Sequence, residues 1–118
     1  MLIILYGEFT SLNKYIAADR RNRFVGGRVK KDNGDMAMKQ LTLKEIVAEY
    51  PVEIKFTWIT KNERVDPDNT SFAKKYILDA LVSKGILRND TRKDICGFSD
   101  RYGVDKDFPR VEIEITNG

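Results

Sequence analysis

Val52-Glu53-Ile54-Lys55-Phe56-Thr57-Trp58 puts an apolar side chain at every second position and a polar one between. A period of two marks a strand with one face buried and one in water. Arg110 to Thr116 repeats the pattern, with Val111, Ile113 and Ile115 on one face and Glu112, Glu114 and Thr116 on the other. Two half-buried strands call for a sheet whose apolar face is covered, and the remaining segments must supply that cover. Leu2 to Tyr6 is a continuously apolar run and reads as a short buried strand, followed by a turn over Gly7 to Thr10. Ser11 can cap a helix carrying Leu12, Tyr15, Ile16 and Ala17. Met36 to about Tyr50 has helical periodicity through Met38, Leu41, Leu43, Ile46 and Val47. Within it, Thr42 and Glu45 form a capping-box pattern that can split the stretch, and Pro51 ends it. A further helix is predicted from about Pro67 to Ser83, ending near Gly85. Ile95 to Phe98 reads as a short strand, and Asp100 to Pro109 as polar and turn-rich. The order of elements predicts an α+β fold: one domain over residues 1–118, a mixed β-sheet with helices packed on it.

Composition narrows the chemistry. The chain has no histidine, which excludes Ser-His and Cys-His nucleophilic catalysis and histidine-ligated metals. Cys96 is the only cysteine, so neither an intrachain disulfide nor a cysteine zinc site is expected. Catalysis would rest on Asp, Glu, Lys, Arg, Tyr or a bound ion. No apolar run approaches 18 residues, so no membrane span is expected. The N-terminal run lacks the basic flank and small-residue site of a signal peptide.

The net charge of +3 is modest, but its distribution is uneven. Between residues 20 and 31, Arg20, Arg21, Arg23, Arg28, Lys30 and Lys31 stand without an acidic residue. Such a block suits phosphate binding, and it equally suits a solvated surface segment. Gly26-Gly27 interrupts any long helix there and Asp32-Asn33-Gly34-Asp35 is a turn signal, so the block is expected to be a loop.

Asp66-Pro67-Asp68-Asn69 opens the helix that carries Lys74, Lys75 and Asp79, and Asn89-Asp90 follows it. Counted at 100° per residue, Asp68, Lys75 and Asp79 share one stripe, while Phe72, Ala73, Tyr76, Ile77, Ala80 and Leu81 form an apolar arc. Carboxylates at such positions can hold a hard divalent cation. They can equally be a cap, a favourable charge at a helix start, and an i,i+4 surface pair. An EF-hand loop is excluded, because Ser71 stands where its glycine is needed and Ile77 where its bidentate glutamate is needed. A phosphate-binding Gly-rich loop ending in Gly-Lys-Ser/Thr is absent.

The run Asp66-x-Asp68-Asn69, Lys75-x-x-Leu78-Asp79-Ala80-Leu81 and Asn89-Asp90 resembles the signature of the RusA family of Holliday junction resolvases. Ser11 to Ile16, Arg20 to Arg23, Gly97 to Asp100 and Pro109 to Ile113 look like other parts of its phage and prophage branch, so the likeness spans nearly the whole chain. It implies a RusA-like fold and a homodimer that resolves four-way and related branched DNA by paired cleavage, in recombination and repair. It also implies a place in the cytoplasm of a bacterium or phage-infected host. It implies a metal, Mg²⁺ or Mn²⁺, on Asp66, Asp68 and Asp90, an assisting Lys75, and DNA contacts from Arg20, Arg21, Arg23, Arg28, Lys30 and Lys31. Two departures stand out. Thr70 to Ala73 lengthen the spacing before the lysine and leave Lys74 as a competitor, and Asn89 leaves one carboxylate in the closing pair. A non-catalytic branched-DNA-binding phage accessory protein is the alternative, and a nuclease for forks or flaps is a third reading.

Overall fold

The computed structural model describes residues 1–42 and 45–118. The elements run β1 (Leu2–Tyr6), α1 (Leu12–Arg21), α2 (Arg23–Gln40), β2 (Val52–Thr60), α3 (Pro67–Ser71), α4 (Lys74–Ser83), β3 (Ile95–Val104) and β4 (Arg110–Asn117). The four strands form one mixed sheet in the order β1-β4-β2-β3. β2 is antiparallel to β4 and parallel to β3, and β1 is antiparallel to β4. The fold is α+β, as the alternating strands require.

Register explains the core. Ile54 faces Ile115, Phe56 faces Ile113 and Trp58 faces Val111, so the apolar residues of both strands share one side of the sheet. Those side chains are almost wholly buried with Ile3 and Leu5 of β1, Ala37 of α2 and Ile77, Ala80 and Leu81 of α4. Each such burial is worth roughly 1.5–3 kcal/mol for a large aliphatic or aromatic side chain. Glu53, Lys55 and Glu114 point to the uncovered face. β1 is not wholly buried: Ile3 and Leu5 enter the core, while Leu2, Ile4 and Tyr6 stand on the solvent side of an edge strand.

Three other expectations are corrected. The basic block is helix, not loop. α2 runs without a break through Gly26, Gly27 and Gly34, although each glycine costs about 1 kcal/mol of helix propensity. Packing and capping offset that cost. Asn22 ends α1 by donating its backbone N–H to Ala18 O, and its side chain accepts from Phe24 N at 2.8 Å to start α2. Gly26 lets the helices touch, because a Cβ there would lie 3.0 Å from Asp19 Cα and 2.5 Å from Asp19 Oδ1. Buried Asn33, read as part of a turn, accepts from Thr10 N at 2.8 Å and donates to Thr10 Oγ1 at 2.9 Å.

The helix expected to reach Tyr50 stops at Gln40, and residues 45–48 carry no helix; Leu43 lies outside the described residues. Val47 N instead donates to Ile86 O at 2.9 Å, which ties this segment to the chain beyond α4. Finally, β3 continues to Val104, through residues expected to be turn. As an edge strand beside β2 its polar side chains can reach water while its backbone stays paired.

Candidate functional site

The start of α3, a few residues beyond β2, carries the first two aspartates. Asp66 occupies the cap position of α3, where its carbonyl accepts from Thr70 N at 3.0 Å, but its side chain makes no capping bond. Pro67 follows at the first helical position, where its missing N–H costs nothing. Asp68 lies in the first turn, exposed, with Asn69 Nδ2 donating to it at 3.4 Å. Among the described residues neither carboxylate has a cationic partner. The segment is anchored from both sides. Asn13 N of α1 donates to Asn69 Oδ1 at 3.0 Å, and Tyr102 Oη of β3 donates to Pro67 O at 3.3 Å.

The helix breaks just after this point. α3 ends at Ser71, and Phe72 and Ala73 form a tight turn in which Ala73 N bonds back to Thr70 O and Lys75 N to Phe72 O. The stripe expected to join Asp68 to Lys75 and Asp79 was drawn for one continuous α-helix, whereas here the chain passes through this tighter turn with Phe72 and Ala73 still in the αR region. Lys75 is exposed and pairs with Asp79 across one turn at 3.4 Å. Lys74 points inward instead. Its Nζ lies 2.9 Å from Asp100 Oδ2, 4.6 Å from the Phe98 ring centre and 5.3 Å from that of Phe56. The other Asp100 oxygen accepts from Trp58 Nε1 at 2.8 Å.

This half-buried Lys74–Asp100–Trp58 group was missed in the sequence. Its signal is the pairing of Phe56 with Asp100 on adjacent parallel strands, a long-range register that spacing within either strand does not disclose.

Asp90 lies elsewhere. It is exposed, and its N–H donates to Asn89 Oδ1 at 2.9 Å. It precedes the start of β3, where Asp94 O accepts from Val52 N at 2.9 Å. Asp66 and Asp68 sit beside the far end, near Tyr102. The seven steps from Ile95 to Tyr102 span about 23 Å at strand rise. One chain therefore does not gather the three aspartates, and among the described residues no group of three acidic, cysteine or histidine side chains could hold a metal together.

Asp94, next to that loop, is buried and structural. It accepts from Thr91 and from Arg88 Nε, the latter at 2.6 Å, and these hydrogen bonds hold its carboxyl below the usual carboxylate range.

Two further features flank Asp66–Asn69. A cleft of about 290 Å³ opens between the β1–α1 turn and the end of β2, lined by Lys14, Lys61, Arg64 and Thr70 among others. From α1, which borders that cleft through Lys14, extends the α1–α2 hairpin, on which Arg20, Arg21, Arg23, Arg28, Lys30 and Lys31 are all exposed. Lys30 Nζ lies 5.3 Å from the Tyr15 ring centre. The remaining members of the basic block thus share one projecting body with α1. No helix among the described residues is long and apolar enough to cross a membrane. Comparison with protein-family models and with curated proteins finds no match to this chain.

Proposed function

We propose that the chain is a metal-dependent endodeoxyribonuclease acting on four-way and related branched DNA in the cytoplasm of a bacterium or phage-infected host. The observation that carries the reading is the pair Asp66 and Asp68. Two exposed carboxylates are held on one short, doubly anchored helix start, and neither is used as a side-chain cap or in an ion pair among the described residues. Two hard oxygen donors fit Mg²⁺, which keeps several waters and is commonly held by one or two carboxylates plus a substrate phosphate. When bound, such an ion lowers the pKa of a coordinated water and shields charge on the scissile phosphate.

The protein's own part is positioning. The Asn13–Asn69 bond ties the segment that carries the carboxylates to the start of α1, which places the basic hairpin next to the acidic pair. Arg20, Arg21, Arg23, Arg28, Lys30 and Lys31 then offer a phosphate-binding surface beside them, with affinity that falls steeply with salt. Lys75, free of the core, can swing toward a phosphate by giving up a weak exposed pair with Asp79. Lys74 is committed to Asp100. In this fold Asp90 can join Asp66 and Asp68 only from a second copy of the chain. Two opposed nicks call for a two-fold pair of copies in any case.

A gel assay tests the reading. Synthetic four-way, three-way and linear DNA are incubated with the protein in Mg²⁺ or in EDTA. Nicking of branched substrates in Mg²⁺ alone is expected. Binding without nicking in either condition would favour a non-catalytic branched-DNA-binding protein, and preferential cutting of three-way DNA a fork or flap nuclease.

A further inference from the structure

Phe24 is the most exposed large apolar residue described, at 82%, and it stands at the corner of the α1–α2 hairpin. Val25 beside it is also exposed. Most of the ring is left open to water by the described residues. The corner is rigidly built. Asn22 caps α2 through Phe24 N itself, and Gly26 closes the helices onto Asp19. It also projects. Ala37, the first residue of α2 to enter the apolar core, lies fifteen positions beyond Asn22, about 22 Å at helical rise. The ring's neighbours along the chain are Arg20, Arg21, Arg23 and Arg28, with no acidic residue between 20 and 31. That charge disfavours a basic partner or a second basic hairpin and favours a polyanion.

We infer that Phe24 is a stacking wedge that covers or displaces a base where the strands of branched DNA part, while the surrounding arginines hold the phosphates. Apolar wedges that unstack a base step are used by proteins that bend or open DNA, and aromatic stacking on a base is tolerant of sequence. The step is easiest at a branch point, where stacking is already interrupted. α1 runs from the Asn13–Asn69 contact to the corner, on the order of 12 Å by helical rise, so one branched substrate can touch both the wedge and Asp66–Asp68. This rests on the nucleic-acid reading above and adds to it a residue that senses the branch.

The test measures binding of the full chain to an immobile four-way junction and to a linear duplex of equal length, in EDTA so that no strand is cut. Phe24→Ala should bind the junction roughly 5- to 100-fold more weakly, the loss of one stacked base, and the duplex within about twofold of wild type. Phe24→Trp should retain junction affinity. Permanganate reactivity of branch-point thymines should rise with wild type and not with Phe24→Ala. Thermal unfolding of Phe24→Ala should match wild type closely, because so exposed a ring adds little packing. Equal junction binding by wild type and Phe24→Ala overturns the wedge while leaving the DNA reading intact. Equal losses on junction and duplex overturn it as well. Binding of neither DNA by wild type, with self-association that Phe24→Ala abolishes, would sink the DNA reading and assign the ring to a contact between copies.

Discussion

Gly26 and Gly27 are adjacent residues in one helix, and the structure gives them opposite roles. Alanine at either gains about 1 kcal/mol of helix propensity. At Gly27 the added methyl meets nothing within 4 Å. At Gly26 it would lie 3.0 Å from Asp19 Cα and 3.0 Å from Asp19 Cβ, besides the 2.5 Å approach to Asp19 Oδ1. The carboxylate can rotate away, but the Cα belongs to the α1 backbone and yields only if the hairpin opens. Overpacking of that kind costs about 1–3 kcal/mol. Propensity cancels between the two variants, so Gly26→Ala should be less stable than Gly27→Ala by about 1–3 kcal/mol, with Gly27→Ala at or above wild type. Urea unfolding followed by circular dichroism measures both, and the midpoints should separate without a change in slope. In thermal scans the gap should be on the order of 4 °C per kcal/mol. Equal stability of the two variants would refute the close crossing of α1 and α2, and with it the rigid basic hairpin.

Other outcomes follow from the same contacts. Asp94 has its folded pKa lowered, so the stability it contributes is present above the unfolded carboxylate value near 3.9 and is lost as pH falls through the folded value. Asp94→Asn should therefore be less stable than wild type at pH 7, and the gap between the two unfolding curves should narrow as pH drops below about 4. Lys74→Ala should cost about 1–2 kcal/mol, because it leaves a half-buried Asp100 with Trp58 alone, whereas Lys75→Ala should cost under about 0.5 kcal/mol. Junction cleavage per folded molecule should fall more in Lys75→Ala than in Lys74→Ala, and the reverse order would move the assisting role to Lys74. Asp68→Asn and Asp90→Asn, each inactive alone, should regain part of the cleavage activity when mixed and allowed to exchange subunits. A centre built within one chain would give no rescue.

Much of the fold was legible because sheet burial writes itself into period two. Val52 to Trp58 and Arg110 to Thr116 alternate since one face of each strand meets the core and the other meets water. β1 misled, because an edge strand with apolar Leu2, Ile4 and Tyr6 on its open face looks buried on both. The basic segment misled for a different reason. Its glycines are poor helix formers, and what restores the helix is tertiary: the Gly26–Asp19 contact and the Asn33–Thr10 bonds lie across gaps of 7 and 23 residues that local pattern does not see. The site was legible as residue types and illegible as an assembly. Asp66 and Asp68 share one helix start as the spacing suggested. A tighter turn at Phe72–Ala73 divides the one helix expected there into α3 and α4, and the parallel path of β2 and β3 carries Asp90 to the other end of the sheet.

Whether Asp66 and Asp68 support metal-dependent cutting of branched DNA is measured by the rate at which wild type and Asp68→Asn nick a synthetic four-way junction in Mg²⁺, with binding of the same junction followed in parallel. Wild type should make paired nicks, and none in EDTA, while Asp68→Asn should be slower on the order of 100-fold or more at unchanged junction affinity. Cleavage by Asp68→Asn at the wild-type rate would remove these carboxylates from the reaction.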